Sequence, residues 1–203
     1  DAKRGGILIT AHMGSLEVIR AASGHRPDFR LNILVHTKHA ERFNKILQRL
    51  NPQTAVNLLQ VSELNPATAM LLAEKVSRGE FIAIAGDRIP LSSAPRCVWV
   101  PFLGRPAPFP VGPYVLASML GCPLVSMMCV HDRPGYLVHF EPFGDRIEID
   151  RKDRQKRWTL LATEFAQRLE RNCRKSPFDW FNFYHFWNNA PIRGDVSHES
   201  GLH

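Results

Sequence analysis

A chain of 203 residues with 44% hydrophobic content is long enough to bury a core in one domain, which excludes general disorder and any need for disulfides or a structural metal. Its four cysteines, Cys97, Cys122, Cys129 and Cys173, show neither CxxC spacing nor histidines at zinc-finger intervals, so free thiols and no metal centre are expected. The net charge of +7 favours an anionic partner: nucleic acid, an anionic membrane or an acidic carrier protein.

Taken in chain order, residues 1–4 lead at once into a strand-like run, as expected of a chain trimmed ahead of that run. GILITA, residues 6–11, is a short continuous apolar run of the kind buried on both faces of a sheet. Residues 15–22 read as a helix with Ser15 available as its cap. LNILV at 31–35 is a second strand, and residues 39–50 a helix ended by Asn51-Pro52. Residues 56–61 read as a third strand, Pro66 opens a helix reaching Val76, and FIAIA at 81–85 is the most β-like segment.

Residues 88–113 hold seven prolines, from Pro90 to Pro113, and read as a long structured loop. A helix over 112–120 and a strand over 124–130 follow, then two short antiparallel strands at 137–140 and 147–149. Residues 154–171 form a long amphipathic helix with Trp158, Leu161, Phe165 and Leu169 on one face. Residues 1–190 thus make one domain, and 191–203 a polar, disordered tail. No apolar run reaches the roughly 20 residues that span a bilayer.

Alternating strands and helices predict an α/β fold, a largely parallel central sheet flanked by helices. Sites in such sheets lie beyond the carboxyl ends of strands, where His12 and Asp87 fall. Glu17 follows His12 by five positions. Residues so spaced on a regular helix stand about 140° apart, so the two meet only if His12 stays on the turn before the helix. A carboxylate on one ring nitrogen would fix the tautomer and leave the other nitrogen as a base. HxxxxE alone recurs by chance in unrelated chains, and a histidine hydrogen-bonded at a helix start is the competing reading.

Asp87, in Gly86-Asp87-Arg88, reads either as a substrate-orienting carboxylate or as a structural partner of Arg88. Arg105 reads as an anion contact or as a surface arginine, with Phe102, Leu103 and Phe109 as candidate channel walls. The dense run Arg151, Lys152, Arg154, Lys156 and Arg157 reads as a docking face or a solvated helix start. A hydrolase would use the same histidine to activate water. A nucleic-acid module lacks support, because the aromatics cluster near the C-terminus instead of interleaving with the basic residues. A metal site built from His36, His39 and His131 has no suitable spacing.

In this order HMGSLE, FIAIAGDR, VPFLGRPAPFPVGPYVLASMLGCPLV and PFDWFNFYHFW resemble the late acyltransferases of bacterial lipid A biosynthesis. These lauroyl and myristoyl transferases fall within the lysophospholipid acyltransferase superfamily, and the resemblance runs from Gly5 to Trp187. It implies a glycerolphosphate-acyltransferase-like fold and transfer of a fatty acyl chain to a hydroxyl of a lipid or glycolipid. The donor it implies is an acyl-carrier-protein or CoA thioester, with no cofactor, no metal and no nucleic-acid partner. His12 would match the family's general base and Glu17 its acidic companion. Arg49 would match a family arginine and Asp87 a family aspartate, with Arg88 and Arg105 as further substrate or transition-state contacts. It also implies a place on the cytoplasmic face of the bacterial inner membrane, peripheral or anchored by a segment absent from this chain. The aromatic cluster from Phe178 to Trp187 fits either a membrane interface or packing against the sheet.

Overall fold

The computed structural model describes residues 4–14, 29–35, 56–60, 65–89, 96–183 and 185–187. The helices expected at 15–22 and 39–50, and the tail at 191–203, lie outside these residues. Among them, six strands form one sheet: β1 (Ile7–Thr10), β2 (Leu31–Val35), β3 (Val56–Gln60), β4 (Phe81–Ala85), β7 (Leu124–Asp132) and β8 (Gly135–Gly144). Their order is β3-β2-β4-β1-β7-β8, with every neighbouring pair parallel except β7 and β8. The expected α/β architecture with a largely parallel sheet is what the chain adopts.

The apolar runs explain the arrangement. Along β1, Ile7 and Ile9 enter one core cluster with Ile82, Leu124 and Phe165, while Leu8 enters a second with Leu31, Ile33 and Ala83. A period of two therefore buries both faces of the central strand, as a doubly covered parallel sheet requires. Helix α1 (Pro66–Ser77) begins where Asn65 accepts a hydrogen bond from the Thr68 amide at 2.8 Å, with Pro66 in the first turn, and it buries Leu72 and Val76. Helix α2 (Gly112–Leu120) ends at Gly121, whose left-handed φ of 57° suits glycine.

Helix α3 (Arg154–Lys175) buries Leu161, Phe165, Leu169 and Cys173, a stripe repeating every four residues. From the same side Arg168 reaches the β7–β8 hairpin, donating to the Ser126 hydroxyl at 2.9 Å and the Glu141 and Pro142 carbonyls at 2.6 and 2.9 Å. It also pairs with Glu164 and lies 3.9 Å from the Phe143 ring centroid. These contacts satisfy a buried guanidinium that would otherwise be costly to desolvate.

Two local expectations need correction. The proline-rich stretch expected as a loop contains an antiparallel hairpin, β5 (Cys97–Phe102) and β6 (Arg105–Pro110), turning at Leu103-Gly104. Both turn residues have positive φ, the requirement of a tight two-residue hairpin, and Glu170 of α3 accepts the Leu103 amide at 2.8 Å. Pro106, Pro108 and Pro110 alternate along β6, so their missing N–H groups all face away from β5. The strand expected at 137–140 is part of a longer edge strand, β8, whereas the one expected at 147–149 does not form. A register irregularity at Leu124/Val125 lets Pro142 sit within β8, and Ile147 is buried beyond its end.

Candidate functional site

The site is built by the register of β1 on β4. Thr10 pairs with Ala85 at the ends of these parallel neighbours, so the next residues of both strands leave the sheet side by side. His12 and Asp87 each lie two residues further on. The His12 ring Nδ1 stands 2.9 Å from Asp87 Oδ1, and the His12 backbone amide donates to Asp87 Oδ2 at 2.9 Å. One carboxylate thus holds both the ring and the main chain of the histidine.

The two partners differ sharply in exposure. The Asp87 side chain is 2% accessible and that of His12 39%, so the carboxylate is sealed while the imidazole faces solvent. Burial pushes the Asp87 carboxyl up, but the hydrogen bonds and charge of His12, its backbone amide and the Trp180 indole outweigh burial and hold it below its ordinary value. When the imidazole is neutral, the charged Asp87 favours the tautomer in which Nδ1–H donates to it, leaving Nε2 with a lone pair.

The C-terminal segment closes the back of the site. Residues 179–181 run antiparallel to 12–14: the Gly14 amide donates to the Asp179 carbonyl, and the Phe181 amide to the His12 carbonyl, each at 2.8 Å. The Trp180 indole N–H reaches Asp87 Oδ2 at 3.0 Å, and Arg88 donates to the Phe181 carbonyl at 3.0 Å. The Asp179 carboxylate accepts from the His131 amide of β7 and the Ser176 hydroxyl. Three consecutive residues therefore bind the exits of β1, β4 and β7 together.

Close packing fixes the backbone here. Gly14 has φ +66°, and a Cβ on it would stand 2.2 Å from the Cys129 carbonyl oxygen. At Gly86, a Cβ would meet Ile9 and Phe165 side-chain atoms at 2.6 and 2.9 Å. Cys173 is buried and its thiol is pushed up to about 12 by burial and by the negative charges of Asp87 and Glu170. That thiol is a packing group, not a nucleophile.

Of the residues singled out from sequence, the fold joins His12 to Asp87 and sets Arg88 beside them on the segment that closes the site. Arg105, at the start of β6, lies 6.0 Å from the Trp187 ring centroid, and Trp187 in turn packs edge-on against Trp180. Glu17 and Arg49 lie outside the described residues, as do His36 and His39. His131 stacks edge-on against Tyr136 with centroids 5.3 Å apart.

The aromatic cluster divides. Trp180, Phe186 and Trp187 pack around Phe102, whereas Phe178, Phe181 and Phe183 are 93%, 43% and 87% exposed. In the sequence Trp180 reads only as one of these aromatics, and its contact with Asp87 is not visible there. The available signal was chemical: in Phe178-Asp179-Trp180-Phe181 only the tryptophan ring carries a hydrogen-bond donor that needs an acceptor when buried.

A solvent-facing imidazole held by a sealed carboxylate is suited to removing a proton from a hydroxyl or a water molecule. The model of one protein family, described as bacterial lipid A biosynthesis acyltransferase, matches residues 1–189. No curated protein matches the chain.

Proposed function

The chain belongs to the bacterial lipid A biosynthesis acyltransferase family and is an acyltransferase acting on a lipid, and on that premise we propose that His12 is its general base. The observation that carries this reading is the 2.9 Å contact between His12 Nδ1 and the sealed Asp87 carboxylate, which favours a ring with Nε2 free to accept a proton. His12 Nε2 takes the proton of the acceptor hydroxyl as its oxygen attacks the thioester carbonyl of the donor. The tetrahedral adduct collapses with cleavage of the C–S bond, and the imidazolium returns its proton to the departing thiolate. Asp87 stabilises the imidazolium in between, and the oxyanion requires hydrogen-bond donors close to His12.

Glu17 keeps the role implied by the HxxxxE motif, a second carboxylate acting on His12, and Arg49 that of an anion contact. The donor is an acyl carrier protein or CoA thioester. A carrier fits the basic start of α3, where Arg151, Lys152, Arg154 and Lys156 are exposed and would meet an acidic surface. The protein acts at the cytoplasmic face of the bacterial inner membrane. Among the described residues no helix is long and apolar enough to cross a membrane, and the exposed rings of Phe178, Phe181 and Phe183 support contact with a lipid interface.

The test is transfer of a radiolabelled acyl chain from carrier and CoA thioesters to a lipid extract, with the product identified by mass. His12→Ala and Glu17→Ala, assayed as folded proteins, are each expected to lose at least about 100-fold in turnover. Near-wild-type transfer by either variant would remove that residue from the mechanism.

A further inference from the structure

We propose that Trp180 is a positioning residue of the transfer reaction, its indole N–H fixing the Asp87 carboxylate that aims the His12 ring. The inference rests on the reading of His12 as general base.

Trp180 packs edge-on against Phe102 and Phe186, with centroids 5.3 and 5.2 Å apart, and Trp187 completes its surroundings. Packing of this kind asks only for an aromatic ring. Among the described residues, Trp158 and Trp187 illustrate that case: each has a buried Nε1 with no hydrogen-bond partner. Trp180 differs, because its Nε1 ends 3.0 Å from Asp87 Oδ2. An indole N–H aimed at a buried carboxylate is a charge-assisted bond, and it sits on the carboxylate that orients the imidazole.

The division of labour on Asp87 follows. Oδ1 accepts from the His12 ring, while Oδ2 accepts from the His12 amide and from the indole. Donors on both oxygens set the plane of the carboxylate, and that plane sets the direction in which the imidazole presents Nε2. Trp180 is held in register with the same histidine by the backbone hydrogen bonds of Asp179 and Phe181 to residues 12–14. The indole, the carboxylate and the imidazole therefore form a relay from the aromatic core outward. Trp180 touches Asp87 and not the reacting atoms. Its loss should lower kcat and leave the KM of donor and acceptor unchanged.

The experiment replaces Trp180 in the full chain with 3-benzothienylalanine, which keeps the shape of the indole and removes only its N–H. Trp180→Phe serves as a second variant. Acyl transfer and the 15N resonances of the His12 ring are measured together. We expect kcat to fall about 10- to 100-fold, the usual cost of losing a group that orients a functional side chain, with KM unchanged. The His12 ring should change from one tautomer to a mixture. Wild-type kcat in the benzothienyl variant overturns the proposal. So does a lowered kcat with an unchanged His12 spectrum, because that marks a merely structural role. His12→Ala serves as the reference. If it retains turnover, the general-base reading falls and this proposal with it. If it is inactive while the benzothienyl variant is normal, only the role of Trp180 is lost.

Discussion

His12 and Asp87, 75 residues apart in the chain, meet at 2.9 Å because each lies two residues past Thr10 and Ala85, which pair across adjacent parallel strands. The contact follows from the sheet order that puts β4 beside β1. It gives the half-exposed histidine a buried anion on Nδ1.

Asp87→Asn should retain the geometry and lose the chemistry. An amide cannot stabilise an imidazolium as a carboxylate does, and it no longer enforces the tautomer with Nδ1 protonated. By analogy with the corresponding change in serine-protease triads, turnover should fall by about 10³ to 10⁴ with little change in KM. Steady-state transfer kinetics on the folded variant provide the check, and a loss below tenfold would mean that Asp87 does not support the base.

The second prediction concerns Gly14. Its φ of +66° alone makes alanine unfavourable by about 1–2 kcal/mol, and the added Cβ would also press on the Cys129 carbonyl oxygen. The turn carrying His12 would have to shift against β7. Gly14→Ala should therefore lower both Tm and turnover, whereas alanine at Gly104, which also has positive φ but open space around its Cβ position, should lower Tm only. Thermal melts and transfer assays of the two variants side by side distinguish these outcomes.

Acid should destabilise the fold through Asp87 and Glu80. Both carboxyls are held below their ordinary values of 3.8 and 4.5; burial raises each, but hydrogen bonds and nearby positive charge outweigh it, from His12 and Trp180 at Asp87 and from Asn32 and Lys75 at Glu80. A depressed folded-state value means that the stabilisation is complete above the ordinary value and disappears as pH falls through the folded one. Tm should thus be flat near neutrality and drop below about pH 4. Asp87→Asn should flatten that drop, which melts between pH 3 and 6 would reveal.

A lipid interface at the exposed phenylalanines predicts a specific binding defect. Phe178 and Phe183 are 93% and 87% exposed, so replacing them with serine removes little packing from the folded protein. If these rings enter the lipid, each contributes up to about 1.5–3 kcal/mol of transfer energy. Phe178→Ser with Phe183→Ser should then weaken cosedimentation with anionic phospholipid vesicles by more than tenfold, an order of magnitude per about 1.4 kcal/mol. Equal cosedimentation of variant and wild type would exclude this surface as the contact.

Much of the fold is legible from local pattern. The runs at 7–10, 31–35 and 81–85 are mostly apolar because they lie in the buried sheet, and the stripe Leu161, Phe165 and Leu169 marks the buried face of α3. The β5–β6 hairpin was hidden by its prolines, which suggest a loop until pairing shows that their alternation turns every missing N–H outward. The long edge strand β8 was hidden by Pro142 and by an irregularity that only the partner strand reveals.

His12 itself, as the histidine at the exit of a buried strand, was determined by the sequence: a short apolar run followed by a polar turn puts that side chain at the carboxyl end of a sheet. Its partner in the described structure was not. A motif of adjacent residues directs attention to Glu17, five positions away, whereas the carboxylate on Nδ1 comes from another strand and the indole behind it from the far end of the chain. Parallel strands are joined by long crossovers, so residues that meet at their exits are separated by dozens of positions, and nothing local records which strands become neighbours. Sheet order and register carry that information, and they exist only once the chain has folded.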